Sequence, residues 1–152
     1  SRPVHLRPLL MPEVFADTAY FIATINPRDT LHDVAKRVGR TLARHQFLTT
    51  DAVLAELLGY YAGYTPFLRA AALRTVDRVR ATPTFEVLDF GRPEFDRALE
   101  RYRRRPDKTY SLVDCHSMVV MEDLGIRDIP TADEHFLQAG FTCLLPTGGR
   151  AR

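Results

Sequence analysis

Short apolar runs alternate with longer amphipathic segments along the whole chain. Five runs have the length and composition of strands: residues 13–17, 47–50, 85–90, 129–131 and 141–145. Between the first two, Val34 and Val38 share one face of a predicted helix that ends near residue 45 and is capped by Asp29 or Thr30. Alternation of this kind favours right-handed crossovers between parallel strands. The predicted fold class is therefore α/β, a three-layer α/β/α sandwich with a central, mainly parallel five-stranded sheet.

Polar residues that can cap helices stand at the predicted helix starts. Asp51 is predicted to cap a helix over residues 52–61, because its side chain can accept from free backbone amides of the first turn. Ser111 is predicted to cap a helix over residues 112–124, which Gly125 ends. The nearly continuous apolar sequence of that second helix predicts deep burial.

Length and composition indicate one globular domain. The chain has 152 residues, of which 45% are hydrophobic and 26% charged, so a single domain is expected, with residues 1–12 as an N-terminal extension and 147–152 as a flexible tail. No apolar run approaches the roughly 20 residues that span a bilayer, and the first residues lack the apolar core of a secretory signal. A cytoplasmic protein without membrane contact is expected. Cys115 and Cys143 are too few for a disulfide framework and are expected to be reduced.

The formal net charge of +2 hides an uneven distribution of arginines. They are concentrated in residues 69–80 and 97–105. Arg101, Arg104 and Arg105 are candidates for contacts with the phosphates of a polyanion, and such contacts make affinity depend on salt. The simpler interpretation of the same residues is a solvated helix face.

Four acidic residues stand where apolar segments meet predicted helices: Asp17, Glu56, Asp114 and Asp133. Because the carboxyl ends of parallel strands and the adjacent helix starts converge on one crevice, these distant acids are expected to meet. Two unit charges about 4 Å apart repel by roughly 4 kcal/mol at an effective dielectric near 20, so the cluster needs a cation. Carboxylate oxygens suit Mg²⁺ or Mn²⁺. All four acids are therefore predicted to be both catalytic residues and metal ligands.

Each acid also has a local structural explanation. Asp17 and Asp133 follow strands and can cap the next helix. Asp114 occupies the capping-box position three residues after Ser111, yet it is the only acid in an apolar stretch, so its two interpretations are evenly balanced. Glu56 alone is typical of a solvated helix surface. Only the complete set of four favours a functional site.

Four sequence blocks resemble the motifs of the PIN-domain nucleases, and specifically the VapC-type toxins of toxin–antitoxin pairs. The blocks are Val-Phe-Ala-Asp-Thr at 14–18, Thr-Asp-Ala-Val-Leu-Ala-Glu at 50–56, and the segments 110–121 and 131–141, which together span most of the chain. The resemblance implies an α/β/α domain, divalent metal bound by the four acids, and cleavage of RNA phosphodiester bonds. It also implies a homodimer that is inhibited by a small antitoxin protein whose tail enters the active-site groove.

Roles within this site follow as hypotheses. The three aspartates are expected to hold the ion, while Glu56 either binds a second ion or positions the attacking water. Thr18 and Ser111 offer hydroxyls beside the first and third acids, where they can either orient a carboxylate or a metal-bound water, or cap a helix.

Other functions remain as alternatives to an endoribonuclease toxin of a type II pair. One is a housekeeping PIN-domain nuclease of RNA processing, and another is a catalytically idle protein of the same fold that binds RNA or a partner. A phosphatase with an aspartate nucleophile is disfavoured, because Ala19 stands where a second aspartate is usual. Cys115 and His116 are neighbours on a helix and point roughly 100° apart, which disfavours a thiolate–imidazole pair.

Residues 57–68 contain more aromatic side chains than one helix face needs. Tyr60, Tyr61, Tyr64 and Phe67 are interpreted either as an interface or as the core of a helical hairpin. The resemblance favours contact with a second protomer or an antitoxin.

Overall fold

Five strands and seven helices alternate along residues 11–148, the part of the chain that the computed structural model describes. The strands are β1 (Glu13–Phe15), β2 (Gln46–Thr50), β3 (Phe85–Leu88), β4 (Asp128–Ile129) and β5 (Thr142–Cys143). The helices are α1 (Thr18–Ile25), α2 (His32–Thr41), α3 (Asp51–Tyr61), α4 (Pro66–Ala81), α5 (Arg92–Arg104), α6 (Leu112–Leu124) and α7 (Glu134–Gln138). The predicted N-terminal extension and tail lie outside the described residues, except for residues 11–12 and 147–148.

The strand pairs are all parallel, but the strands form two sheets and not one. In the first sheet β2 lies between β1 and β3, with Phe47 opposite Val14 on one side and Phe85 on the other. The second sheet pairs β4 with β5. β4 packs beside β1 but is only two residues long, and Pro130 follows it without an amide hydrogen to donate. The α/β class with parallel strands is confirmed, whereas the single five-stranded sheet is corrected to one of three strands and one of two.

The core lies around the first sheet. Val14 and Phe15 are adjacent in β1 and therefore point to opposite faces, yet both are completely buried, so both faces of the sheet are covered. Helix α6 is buried as expected, with Cys115, Met118 and Met121 fully enclosed. The two cysteines are free thiols.

Two of the predicted helix boundaries are confirmed and one cap is corrected. Ser111 caps α6 by accepting a hydrogen bond from the amide of Asp114 at 3.0 Å, and Gly125 ends this helix with a left-handed φ of 67°. Thr50, and not Asp51, caps α3, because its hydroxyl accepts from the amide of Val53 at 3.1 Å. Thr50 still has the extended backbone of β2, which is the conformation that an N-cap residue requires.

Helix α2 is shorter than predicted. It begins at His32 after an N-cap, Leu31, that makes no side-chain capping bond, so the predicted caps Asp29 and Thr30 are wrong. Asp29 instead accepts from the amide of Leu31 at 2.9 Å and forms a turn before the helix. After Thr41 the chain turns directly towards β2. Within residues 11–148, every helix falls short of the combined length and apolarity that crossing a bilayer requires.

Candidate active site

One cleft of about 200 Å³ collects all four predicted acids, the three aspartates at helix starts and Glu56 from the middle of α3. Its walls come from α1, α3, α6 and the turn before α7. The lining residues are Asp17, Thr18, Ala19, Ile22, Val53, Glu56, Tyr60, Val113, Asp114, Ser117 and Asp133. Within residues 11–148, no lysine or arginine lines this cleft. The structure therefore brings the four carboxylates together without a basic side chain in the wall.

Asp17 is the most buried of the four acids, with 5% of its surface exposed. It caps α1: the amide of Tyr20 donates to Oδ1 at 3.0 Å, and the hydroxyl of Thr131 donates to Oδ2 at 2.7 Å. Burial raises the pKa of Asp17 to about 7, and the charges of Asp133 and Asp114 act in the same direction against the two hydrogen bonds. A bound cation would return this carboxyl to its charged form.

Glu56 lies in α3 and is held by a residue of α1. The hydroxyl of Thr18 donates to Glu56 Oε1, and this bond joins the start of α1 to the middle of α3. Burial raises the pKa of Glu56, opposed by the Thr18 bond, and the charges of Asp114 and Asp133 raise it further. Of the two roles considered for Thr18, the structure shows orientation of a carboxylate, but of Glu56 and not of its neighbour Asp17.

Asp114 sits in a complete capping box at the start of α6. The amide of Ser111 donates to Asp114 Oδ2 at 3.1 Å, while the amide of Asp114 donates to the Ser111 hydroxyl. Burial raises the pKa of Asp114, against the Ser111 bond. Ser111 therefore orients this carboxylate through its backbone amide, and its hydroxyl serves only the cap.

Asp133 caps α7 by accepting from the amide of His135 at 2.9 Å. Its own amide donates to the Thr131 hydroxyl at 3.1 Å, and that same hydroxyl donates to Asp17. A chain of hydrogen bonds thus links the first and fourth acids. The two explanations weighed for each aspartate coexist, because capping positions the same carboxylates that line the cleft.

Two further residues contact the acids and were not singled out from the sequence. Thr131 bonds to Asp17 across 114 residues of sequence. His135 places Nδ1 3.1 Å from Asp114 Oδ2 and 3.4 Å from Asp133 Oδ1, and its Nε2 is 2.9 Å from Thr109 Oγ1. Both residues stand two positions from Asp133, so a survey of polar neighbours of each acid would have found them. Their partners could not be found that way, because these contacts depend on tertiary packing.

Known proteins share this architecture. A family model for the PIN domain matches residues 14–142. The chain belongs to the PIN-domain family. It is 31% identical over 136 residues to the 23S rRNA-specific endonuclease VapC20 of Mycobacterium tuberculosis, both in strain ATCC 25618 / H37Rv and in strain CDC 1551 / Oshkosh, with 88% of this chain and 98% of the relative aligned.

A solved structure resembles this PIN domain along nearly its whole length. The crystal structure of Mycobacterium tuberculosis VapC20, titled a sarcin–ricin loop cleaving toxin, matches with a TM-score of 0.77 at 26% identity. The match covers 88% of this chain and 99% of that chain. Together these similarities confirm the prediction of a VapC-type PIN-domain nuclease.

PIN-domain nucleases depend on a divalent metal, and the donors of this PIN domain fit one. Donor atoms of Asp114, Asp133 and His135 all lie within 4.8 Å of one another. Asp17 and Glu56 are outside this three-donor group but line the same cleft, and Asp17 is linked to the backbone amide of Asp133 through the Thr131 hydroxyl. Carboxylates that line one cleft without a lysine or arginine in its wall are the donor chemistry of a hard divalent cation.

The arginine-rich helix α5 of this PIN domain has a different arrangement, in which arginines are paired with acids on the surface. The pairs are Arg97–Asp123 at 3.0 Å, Arg101–Glu122 at 2.7 Å, Arg104–Glu100 at 3.1 Å and Arg105–Asp107 at 2.9 Å. We call these four pairs the ion-pair surface. Because each guanidinium already has a carboxylate partner, the structure favours the solvated-face interpretation of these arginines over phosphate contact.

The aromatic segment divides between core and surface. Leu57 and Tyr61 are completely buried, whereas Tyr60, Tyr64 and Phe67 are exposed. Tyr60 also lines the cleft, and its ring stacks on that of Tyr64 at 5.3 Å. The core interpretation therefore holds for Leu57 and Tyr61, whereas the interface interpretation stays a prediction for the exposed aromatic residues.

Proposed function

We propose that this chain is an endoribonuclease that hydrolyses RNA phosphodiester bonds with Mg²⁺ or Mn²⁺ held by Asp17, Asp114 and Asp133. The observation that supports this most strongly is the meeting of four carboxylates in one cleft whose described lining has no basic side chain. Helix capping alone gives no reason for the acids to converge, because a cap satisfies only the amides of its own helix.

The three aspartates hold the ion in a fixed position. Each carboxylate already receives a backbone amide, from Tyr20, Ser111 or His135, so little reorganisation accompanies binding. When bound, a divalent ion lowers the pKa of water and stabilises negative charge on the phosphate oxygens. Burial raises the pKa of Asp17 and Asp114 and so opposes their ionisation, which becomes favourable when the ion is bound.

We assign to Glu56 the role of positioning the water that attacks the phosphate. It is contributed by α3 and is oriented by the Thr18 hydroxyl on one oxygen. Burial raises the pKa of Glu56, which brings this carboxylate closer to the strength of base that accepts a proton near neutral pH. Its second possible role, as a ligand of a second ion, needs the same carboxylate in its ionised form.

The substrate that we assign is structured ribosomal RNA, and the biological role is that of a toxin paired with a small antitoxin. The relative that is 31% identical is named for cleavage of 23S rRNA, and its structure is titled for the sarcin–ricin loop. Tyr60, Tyr64 and Phe67 form an exposed aromatic surface beside the cleft, which suits an antitoxin or the second protomer of a homodimer.

The test is incubation of the purified protein with end-labelled RNA containing a sarcin–ricin loop, and with a scrambled RNA of equal length. Mn²⁺ or Mg²⁺ is added first, and a chelator afterwards. We expect discrete cuts in the first RNA that depend on metal and disappear in Asp17→Asn and Asp114→Asn. Asp123→Asn, which alters an acid of the ion-pair surface, is the matched control and should cleave normally.

Three outcomes would contradict parts of this assignment. Cleavage that survives chelation or both asparagine variants would reject the metal mechanism. Binding without cleavage in either metal would favour the idle binding protein. Equal cleavage of the scrambled RNA would reject ribosomal RNA as the preferred substrate and favour a general processing nuclease.

A further inference from the structure

A histidine joins two of the acids at one side of the cleft. His135 Nδ1 lies 3.1 Å from Asp114 Oδ2 and 3.4 Å from Asp133 Oδ1. Adjacent ligands of an octahedral ion with bonds of ~2.1–2.4 Å are roughly 3.0–3.4 Å apart, so these separations match edges of a coordination shell. The three atoms form a donor set of two oxygens and one nitrogen.

Each of the three donors is held in place by a further hydrogen bond. The amide of Ser111 donates to Asp114 Oδ2 at 3.1 Å, and the amide of His135 donates to Asp133 Oδ1 at 2.9 Å. The imidazole is fixed at its other nitrogen, since Nε2 and the Thr109 hydroxyl share a hydrogen bond of 2.9 Å. A polar partner on the second ring nitrogen is typical of a histidine that binds metal.

From this arrangement we propose that His135 Nδ1 is a ligand of the divalent ion and biases the site towards Mn²⁺ over Mg²⁺. The inference rests on the proposed function, because it concerns the ion of the same cleft. Mg²⁺ prefers oxygen ligands and releases water reluctantly, whereas first-row transition ions accept imidazole nitrogen. Two carboxylates with one imidazole therefore suit Mn²⁺ better than carboxylates alone.

The competing interpretation is that His135 only donates an N–H to Asp114 and orients that carboxylate. In that case the nitrogen stays outside the coordination shell, and removal of the imidazole weakens Mn²⁺ and Mg²⁺ binding equally. Direct ligation predicts instead a selective effect on Mn²⁺ and a magnetic coupling between the ion and a nitrogen nucleus. The two interpretations therefore differ in observables that do not depend on RNA cleavage.

Pulsed electron paramagnetic resonance of the Mn²⁺-loaded protein tests ligation directly. We expect nitrogen coupling of a bound imidazole in the unaltered protein and its loss in His135→Asn, which keeps the backbone amide that caps α7. His32→Asn is the matched control, because His32 Nδ1 contacts the carbonyl of Ala23 in α1 and His32 is not part of the donor group of Asp114, Asp133 and His135. It should retain the coupling. If His135→Asn does not fold, His135→Gln is measured in its place.

Calorimetric titration of both ions measures the bias. For His135→Asn we expect Mn²⁺ affinity to fall by at least ~10-fold, while Mg²⁺ affinity changes by less than ~3-fold. Thr109→Val, which removes only the partner of Nε2, should lower Mn²⁺ affinity by a smaller factor and retain the nitrogen coupling.

Two results would overturn the inference and leave the proposed function intact. The first is Mn²⁺ binding that requires Asp114 but shows no nitrogen coupling. The second is an equal loss of Mn²⁺ and Mg²⁺ affinity in His135→Asn. If the protein bound neither Mn²⁺ nor Mg²⁺, the proposed function itself would be rejected.

Discussion

The cleft and the ion-pair surface are both rich in charge, but they are organised in opposite ways. On the ion-pair surface, each arginine contacts a carboxylate, and all the paired side chains except Arg101 are well exposed to solvent. In the cleft, carboxylates face one another, and burial raises the pKa of Asp17, Glu56 and Asp114. Exposed pairs contribute at most about 1 kcal/mol to stability, whereas buried like charges are costly until a cation binds. Uncompensated burial, and not density of charge, therefore marks the functional region.

The largest expected effect is on RNA cleavage, and it is seen by comparing the removal of one carboxylate charge from the cleft with the removal of one from the ion-pair surface. Asp114→Asn should lower kcat/KM for metal-dependent RNA cleavage by more than about 100-fold, since even partners of metal ligands cost 10–100-fold when removed. Asp123→Asn on the ion-pair surface should change it by less than about twofold. Steady-state cleavage of a labelled RNA in Mn²⁺ measures both. Comparable losses in the two variants would abolish the contrast between the regions.

The next effect is on the stability of the metal-free protein as pH changes. Burial raises the pKa of folded Asp17 from 3.8 to about 7. Because the folded state binds this proton more tightly than the unfolded state, the contribution is complete below pH 4 and is lost as pH rises through 7. The free energy of unfolding should therefore fall by up to about 4 kcal/mol over this interval, and this part of the fall should be absent in Asp17→Asn.

Urea unfolding in chelator at pH 4 and pH 8 checks this, with Asp17→Asn measured in parallel. The isosteric amide can still accept from the amide of Tyr20, so the cap of α1 is retained. Addition of Mn²⁺ at pH 8 should restore stability to the unaltered protein and not to the variant. Parallel pH curves for the two proteins would show that burial of Asp17 carries no such penalty.

A smaller effect is expected from the hydrogen bond that links the first acid to the fourth. Thr131→Val removes the donor to Asp17 and, above pH 7 where Asp17 is ionised, should lower the free energy of unfolding by about 1.5–3 kcal/mol, the range for bonds to charged groups. The pH at which stability is lost should also rise, because this bond lowers the pKa of Asp17. Thr75→Val is the control, since buried Thr75 bonds only within α4 to the carbonyl of Ala71. An unchanged pH dependence in Thr131→Val would contradict the link.

The smallest expected effect is on the free energy of unfolding when one pair of the ion-pair surface is weakened. Asp123→Asn weakens the pair with Arg97 and should cost less than about 1 kcal/mol, because both side chains are well exposed and salt screens them. Unfolding measured at low and high salt checks this value. A cost of several kcal/mol that persists at high salt would show that this surface is a structural network.

The convergence of the acids could be predicted from the sequence, but the contacts that hold them could not. Asp17 and Asp133 each follow an apolar strand, and the geometry of parallel strands brings such positions to one crevice. The bond between Thr131 and Asp17 depends on how β4 packs against β1, which no local pattern contains. His135 was missed for the same reason, because its partner Asp114 belongs to another helix.

The fold shows a similar division. Alternation of strands and helices predicted the parallel α/β class, while the break between the two sheets depends on the shortness of β4 and on Pro130. The cap of α3 was misplaced by one residue because Thr50 and Asp51 both have capping side chains. The backbone conformation at the end of β2 decides between them, and it is a property of the sheet.

Anomalous diffraction from crystals soaked in Mn²⁺ tests most directly whether distant carboxylates share one divalent ion. We expect an anomalous peak in the cleft, within bonding distance of carboxylate oxygens of Asp17, Asp114 or Asp133, and no such peak in Asp114→Asn crystals. A peak confined to the ion-pair surface, or none in the cleft at saturating Mn²⁺, would contradict it.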